Sequence, residues 1–324
     1  MSVIKEIQQL LASDLKQFEA VFKVAMNSKV PLLDLILQYI HRQKGKQMRP
    51  MFVFLSAYVA GTPSESTARA ASLIELLHTA TLVHDDVVDE AEKRRGFFSI
   101  NALWKNKIAV LAGDFLLSKG LSLALAAKDY QVLEIVSEAT REMAEGELLQ
   151  IEKARRLDIQ EEIYFEIIRK KTATLIASCC AVGAASAGAN ETLVEKMYQF
   201  GENVGIAFQL KDDIFDFQKS NSIGKPLGID IKEQKMTLPL IYMLNQMSFI
   251  ERQKAIRIVR KHHNKPEQVS LLIDQVNASG GIVYAEQQMF AYRDKAIALL
   301  DDFKENEHKL ALIKLVNYSC SRTK

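Results

Sequence analysis

The chain of 324 residues is 48% hydrophobic and 25% charged, the balance of a folded globular protein and not of a disordered one. Its net charge of +2 excludes a broad cationic surface for nucleic acid, so any anion binding has to come from local clusters. The length allows one large domain or two ordinary ones, and since no shift in composition marks a boundary, residues 1–324 read as a single domain.

The first fourteen residues mix charges with leucines and contain no apolar signal-peptide core, which points to a cytoplasmic protein. From Val3 to Lys29 apolar residues recur at helical spacing (Ile4, Ile7, Leu11, Leu15, Phe18, Phe22), predicting an amphipathic helix. Pro31 opens a second helix through Leu33, Ile36, Leu37 and Ile40, since proline is favoured at a first helical position. The stretch Lys44-Gly45-Lys46-Gln47-Met48-Arg49-Pro50 is a turn carrying two cations three residues apart. Such a turn beside a helix start suits a diphosphate, although a plain surface charge cluster has the same composition.

Met51 to Ala60 is apolar, and Gly61-Thr62-Pro63-Ser64 is a loop with capping hydroxyls. Ser66 to Asp89 is one long helix pattern, with His78 two turns before Asp85 on the same side. Helices follow over Asn101–Leu125, Gln131–Ile151 (with Glu147 and Gln150), Glu161–Ala189 and Glu191–Phe217. Asn221 to Asp230 is a loop, and later helices break near Pro266 and at Gly280-Gly281. The apolar run Leu175–Ala189 is too short and too rich in Gly and Ala for a membrane span and reads as a packed internal helix, so no transmembrane segment is expected. Cys179, Cys180 and Cys320 lack metal-ligand spacing and read as small buried hydrophobes in a reducing compartment. With no alternating strand pattern and no G-x-G-x-x-G, the fold class is all-α, a bundle of ten or more helices.

Two aspartate clusters stand out from this background. His84-Asp85-Asp86-Val87-Val88-Asp89 and Lys211-Asp212-Asp213-Ile214-Phe215-Asp216 both read Asp-Asp-x-x-Asp, each at the end of an apolar helical stretch. Asp85 and Asp89 share a helix face, and like charges at that spacing cost about a few tenths of a kcal/mol. A cation offsets them. Magnesium takes a few carboxylates, several waters and substrate phosphates in preference to an all-protein cage. Two clusters turned to one cavity would hold a magnesium–diphosphate cluster, whereas a single one would read equally well as a solvated helix end.

Together with these clusters, several segments resemble trans-isoprenyl (polyprenyl) diphosphate synthases. They are Gly45-Lys46-x-x-Arg49-Pro50, the run Leu77 to Asp89 followed by Arg94-Arg95-Gly96, and Lys171-Thr172. Further on come Phe208-Gln209-Leu210-Lys211-Asp212-Asp213-Ile214-Phe215-Asp216, Gly224-Lys225-Pro226-x-Gly228-x-Asp230 with Lys235, and Gly280-Gly281-Ile282. They occur in the family's order along nearly the whole chain. The resemblance implies long helices around a central cavity (the isoprenoid synthase type), a homodimer, and no nucleic-acid partner. It implies Mg2+ held by Asp85, Asp89 and Asp212, with Asp86, Asp213 and Asp216 nearby. Lys46, Arg49, His78 and Arg95 would bind isopentenyl diphosphate. Arg94, Lys171, Thr172, Gln209, Lys225 and Lys235 would surround the allylic diphosphate, with Gln150 and Glu147 close by. Asp85, Asp86, Asp89, Arg94, Lys171 and Asp212 would carry catalysis.

In the implied reaction the allylic C–O bond ionises, the isopentenyl double bond attacks the cation, and a proton leaves with the diphosphate. Phe208 and Phe215 are expected to help line a dry cavity that protects the cation from water. In short-chain members bulky aromatics one turn before the first cluster stop the tail. Here Thr81 and Ala80 are small and Leu77 comes next, and at about 5.4 Å per turn this predicts a long product of about six to eight isoprene units, as for a quinone side chain. The competing assignments are a short-chain synthase, a class I terpene cyclase, which would not need Lys46, Arg49 and His78, and a non-catalytic partner subunit, which would tend to lose one aspartate cluster.

Overall fold

The computed structural model describes residues 2–43, 45–94, 96–157, 159–218 and 227–322. Their regular structure is helical except for one minimal antiparallel pair, β1 (Lys93–Arg94) with β2 (Phe97–Phe98), in register Lys93 to Phe98. The all-α expectation therefore holds, and the expected absence of strands is corrected by this hairpin. Gly96, at φ 83°, provides the left-handed residue that its turn demands.

The chain falls into two compact units. The first comprises Met1–Thr140, Ser178–Tyr198 and Asp301–Leu315. It contains α1 (Val3–Leu10), α2 (Ala12–Ala25), α3 (Pro31–Arg42), α4 (Met48–Ala60), α5 (Glu65–Val88), α6 (Ile100–Trp104) and α7 (Asn106–Ala126). The single helix expected over 3–29 is broken at Leu11, whose φ and ψ of −97° and 20° lie outside the helical region. Likewise the helix expected from Asn101 is interrupted by Lys105 at φ 73°. α5 starts where a capping box forms: the Ser64 hydroxyl accepts from the third backbone N–H, and the Ser64 N–H donates to Thr67 Oγ1 at 3.0 Å. Its apolar positions Leu73, Ile74, Leu76, Leu77 and Ala80 are all buried. α7 is long and apolar enough to cross a membrane by length and composition, and a third of its most apolar window (33%) is buried within the protein. It packs on α5, where a side chain at Gly113 would run into His84 and one at Gly120 into Leu73.

The second unit comprises Arg141–Ala177, Gln199–Leu300 and Val316–Lys324. It holds α9 (Glu161–Ile168), α12 (Ile229–Lys232), α13 (Leu238–Gln246), α14 (Phe249–Lys261), α15 (Pro266–Ala278) and α16 (Gly281–Ala298). α8 (Tyr130–Arg156), α10 (Thr174–Ser186), α11 (Glu191–Phe217) and α17 (Glu307–Ser321) contribute residues to both units. Pro239 and Pro266 sit in the first turns of α13 and α15, where no backbone donor is lost. The core here is built by Ile167, Ile168, Leu210, Ile214, Leu240 and Leu272 among others.

The helix expected over Glu161–Ala189 is not uniform. Between α9 and α10 the residues Arg169–Ala173 form a π-helical turn. Two glycines make room for it. A Cβ on Gly205 of α11 would come within 2.4 Å of Ala173 Cα, and one on Gly146 of α8 within 2.7 Å of the Lys171 nitrogen. Both obstacles are backbone and cannot swing aside. Replacing Gly205 by Ala gains about 1 kcal/mol in helix propensity, but the overlap costs about 1–3 kcal/mol or more because the π turn has to shift. The expected net result is destabilisation, read as a lower midpoint in urea unfolding; an unchanged or higher midpoint would show that the approach is not tight.

Candidate active site

Each unit contains one cavity where carboxylates and cations converge. The first is an open cleft of about 860 Å3, counted out into solvent, and is lined on α5 by Glu75, His78, Thr79, Leu82, Val83 and Asp86. These positions recur every three or four residues, so a single helix stripe presents them. The turn before α4 adds Gly45, Gln47 and Arg49, and β1 adds Arg94. Arg49 is held by a bidentate pair with Glu75, at 2.9 Å and 3.1 Å. Arg94 Nε donates to Asp86 Oδ1 at 2.7 Å. Asp86 is 4% exposed. Burial pushes its carboxyl above its ordinary range, against the pull of Arg94 in the other direction.

The aspartates of the first cluster thus have different roles. Asp86 points into the cavity and is ion-paired, while Asp85 is half-buried and Asp89 exposed at the end of α5. The latter two are the hard oxygen donors that suit a divalent ion. Among the described residues no three His, Cys, Asp or Glu side chains converge into a metal cage of their own. Two carboxylates one turn apart, completed by water and substrate phosphate, fit magnesium without such a cage. Lys46 is exposed between the lining residues Gly45 and Gln47. Arg95 lies outside the described residues. Of the positions linked to product length, Leu77 and Ala80 are buried and Thr81 is half-buried, its hydroxyl donating to the His78 carbonyl at 2.9 Å. None of the three lines this cavity. Leu77 and Ala80 fall on the stripe between Leu73 and His84, two of the residues that meet α7.

The second cavity measures about 710 Å3, likewise counted out into solvent. Gln150, Tyr164, Lys171, Thr172, Gln209, Asp213, Asp230 and Lys235 supply its polar lining. The π turn delivers Lys171 and Thr172, and a chain of hydrogen bonds starts there. Thr172 Oγ1 donates to Gln209 Oε1 at 2.9 Å, Gln209 Nε2 to Asp213 Oδ1 at 2.7 Å, and the Tyr164 hydroxyl to Asp213 Oδ2 at 2.6 Å. Lys171 pairs with Glu147, and Lys235 with Glu233. Burial raises the carboxyls of both Asp213 and Asp230 well above the usual range.

The remaining aspartates of the second cluster are also engaged. Asp216 accepts from the N–H groups of Ile229 and Asp230 at 2.8 Å and 3.1 Å, so it ties down the start of α12. Asp212 pairs with Arg322, 2.7 Å away. The Arg322 guanidinium lies 4.0 Å from the Phe208 ring centre and 5.7 Å from that of Phe215. The expectation that these phenylalanines line the cavity is corrected: neither is among the lining residues, and both form an aromatic shelf under Arg322. Lys225 lies outside the described residues. Sequence reasoning missed Tyr164, Glu75 and Arg322. None of them belongs to a motif, and only tertiary packing brings them to the carboxylates and cations that do.

The family model for polyprenyl synthetase matches residues 30–276. The octaprenyl diphosphate synthase of Escherichia coli (strain K12) is 34% identical over 320 residues, covering 98% of this chain and 99% of the relative. Among solved structures, a decaprenyl diphosphate synthase from Rhodobacter capsulatus is 32% identical with a TM-score of 0.94, covering 99% of both chains. A polyprenyl synthase from Caulobacter crescentus, complexed with calcium and isoprenyl diphosphate, is 31% identical with a TM-score of 0.90 over 99% of this chain and 98% of that one. A geranylgeranyl pyrophosphate synthase from Bacteroides thetaiotaomicron reaches 37% identity with a TM-score of 0.85, over 99% and 100% of the two chains. With relatives matched from end to end and the family model spanning most of the sequence, the chain belongs to the polyprenyl synthetase family, a family of prenyltransferases.

Proposed function

We propose that the whole chain works as one all-trans polyprenyl diphosphate synthase, adding isopentenyl diphosphate units head to tail onto an allylic primer such as farnesyl or geranylgeranyl diphosphate. The observation that carries this reading is chemical. Each cavity sets cations beside an Asp-Asp-x-x-Asp motif: Arg49 and Arg94, with the imidazole of His78 nearby, beside Asp86, and Lys171 and Lys235 beside Asp213. A terpene cyclase binds no second diphosphate and has no use for Lys46, Arg49 and His78.

In this reading Lys46, Arg49, His78 and Arg95 bind isopentenyl diphosphate. Glu75 keeps the Arg49 guanidinium oriented before the phosphate arrives, so little side-chain freedom is lost on binding. Arg94, Lys171, Thr172, Gln209, Lys225 and Lys235 hold the allylic diphosphate. Asp85, Asp89 and Asp212 hold Mg2+, which when bound supplies the positive charge that neutralises the leaving diphosphate. Tyr164 and Gln209 fix Asp213 from both of its oxygens, and the aliphatic lining of Ile159, Ile167 and Ile168 keeps water from the reacting carbon. The chain carbon gains a bond to isopentenyl diphosphate as its bond to the diphosphate oxygen breaks, and the proton lost leaves with the diphosphate.

The likeness to octaprenyl and decaprenyl synthases and the small Ala80 and Thr81 support a long product, with a quinone side chain as its use. The likeness to geranylgeranyl synthases supports a short product as the second reading. A homodimer fits the apolar side chains that α7 leaves exposed, Leu111 at 55% and Leu125 at 57%. A cytoplasmic location fits the three buried cysteines, none of them in a disulfide.

Purified protein given magnesium, farnesyl diphosphate and labelled isopentenyl diphosphate is expected to yield a ladder ending in one long polyprenyl diphosphate; arrest after one or two additions would select the short-chain reading. Asp85→Ala and Asp212→Ala are each expected to lower turnover by about a hundredfold or more, since each removes an electrostatic contribution made in the transition state, and full activity in either variant would remove that residue from the mechanism. Ala80→Phe is expected to shorten the product while turnover on short primers persists, whereas an unchanged product length would rule out Ala80 as part of the floor. Tyr164→Phe leaves buried Asp213 short of one donor. The expected cost is about 1–3 kcal/mol of stability, together with a fall in turnover; a variant matching the parent in both would make the hydroxyl dispensable.

A further inference from the structure

The outer side of α14 carries a surface that the prenyl-transfer chemistry does not use. The helix spans Phe249–Lys261 and buries Ala255, Ile258 and Val259. At about 100° per residue, Phe249, Ile250, Lys254, Arg257, Arg260 and Lys261 fall on the opposite side, within an arc of roughly 140°. All six are exposed. Phe249 at 77% is the most exposed large apolar side chain among the described residues, and Ile250 beside it stands at 68%.

The charge on this face is of one sign for a structural reason. Glu251 is the only acid in the helix, and it lies outside the arc. Its carboxylate is turned back to the cap, accepting from the Ser248 hydroxyl at 2.7 Å and from the Ser248 N–H at 3.1 Å. The patch also continues beyond the helix. Arg260 donates to the carbonyl of Arg156 at 3.1 Å, which places the basic end of α8, with Arg155 and Arg156, next to it.

Cations flanking a pair of exposed apolar side chains match one partner chemistry in particular. Anionic lipid headgroups attract the Lys and Arg side chains, and Phe and Ile enter the boundary between headgroups and acyl chains. A nucleic acid or an acidic protein would satisfy the cations but would not account for an exposed Phe-Ile pair at the same edge. The geometry points to α14 as a docking surface for an anionic membrane, by which the enzyme would work where its long apolar product partitions; only that last clause rests on the long-chain reading.

The test is flotation of the full chain, without substrates, with vesicles of phosphatidylcholine alone or of phosphatidylcholine mixed with phosphatidylglycerol. Binding is expected to the mixed vesicles only, and to fall as salt rises. The triple variant K254E/R257E/K261E is expected to weaken binding by more than about tenfold, and F249S/I250S by about fivefold, while both variants keep the parental circular dichroism and prenyl transfer on soluble primers. No binding to mixed vesicles, equal binding to both compositions, or unchanged binding in both variants would overturn the proposal, as would cation-dependent binding to RNA in place of vesicles. The comparison of the two lipid mixtures uses the parent protein alone, so it decides the matter even if a variant fails to fold. Since no substrate is present, a negative result leaves the prenyltransferase reading untouched.

Discussion

Carboxylates gathered in a cluster repel one another, and the rest of the structure depends on how that repulsion is managed. In both aspartate clusters the inward residues are given donors of their own. Asp86 has Arg94, and Asp213 has Tyr164 and Gln209. Asp216 has two backbone N–H groups at the start of α12, and Asp212 has Arg322. A buried, unpartnered carboxylate would neutralise itself or unfold its surroundings. Held in this way, each carboxyl is fixed in place by protein donors.

One consequence is that a repeated motif is not a repeated set of contacts. Both clusters read Asp-Asp-x-x-Asp, yet the last aspartate is exposed at the end of α5 in the first and ties down another helix in the second. The middle aspartate faces a cavity in each case, but an arginine holds one and a tyrosine with a glutamine holds the other. The cations are arranged on the same principle. Arg49 and Lys171 are each presented on a glutamate, Glu75 and Glu147. Preformed pairs of this kind fix the direction of the guanidinium or ammonium before any ligand arrives.

How much of this was legible in the sequence depends on the range of the interaction responsible. Helices set by local signals were readable: Pro31 at the start of α3, the loop before α5, and the apolar stripe that ends at Asp85. The motif residues Arg49, His78, Arg94, Lys171, Thr172, Gln209 and Lys235 are picked out by their likeness to the family's motifs, and the structure places all seven in the lining of one cavity or the other. What was not legible depends on distant contacts. Tyr164 is forty-nine residues from the aspartate it serves and Arg322 is a hundred and ten from its own. The breaks at Leu11 and Lys105 involve residues that are ordinary in helices, so composition gave no sign of them. Phe208 and Phe215 have helical spacing that suits a core, and only the position of Arg322 shows that they support a cation instead.

The π turn at Arg169–Ala173 is the least conspicuous of these features in the sequence, and it bears on how the site can vary. A π turn accommodates about one residue more than the α-helical turn it interrupts. Deleting one residue there would leave a continuous α-helix of favourable local geometry. It would also turn Lys171 and Thr172 by about 100° relative to the flanking helix, separating the Thr172 hydroxyl from Gln209 and, through it, from Asp213. Substitutions can therefore adjust this wall of the cavity, but its length cannot change by a single residue. An exposed loop without contacts to either cavity can change length without this effect, whereas a change of one residue among these five moves Lys171 and Thr172.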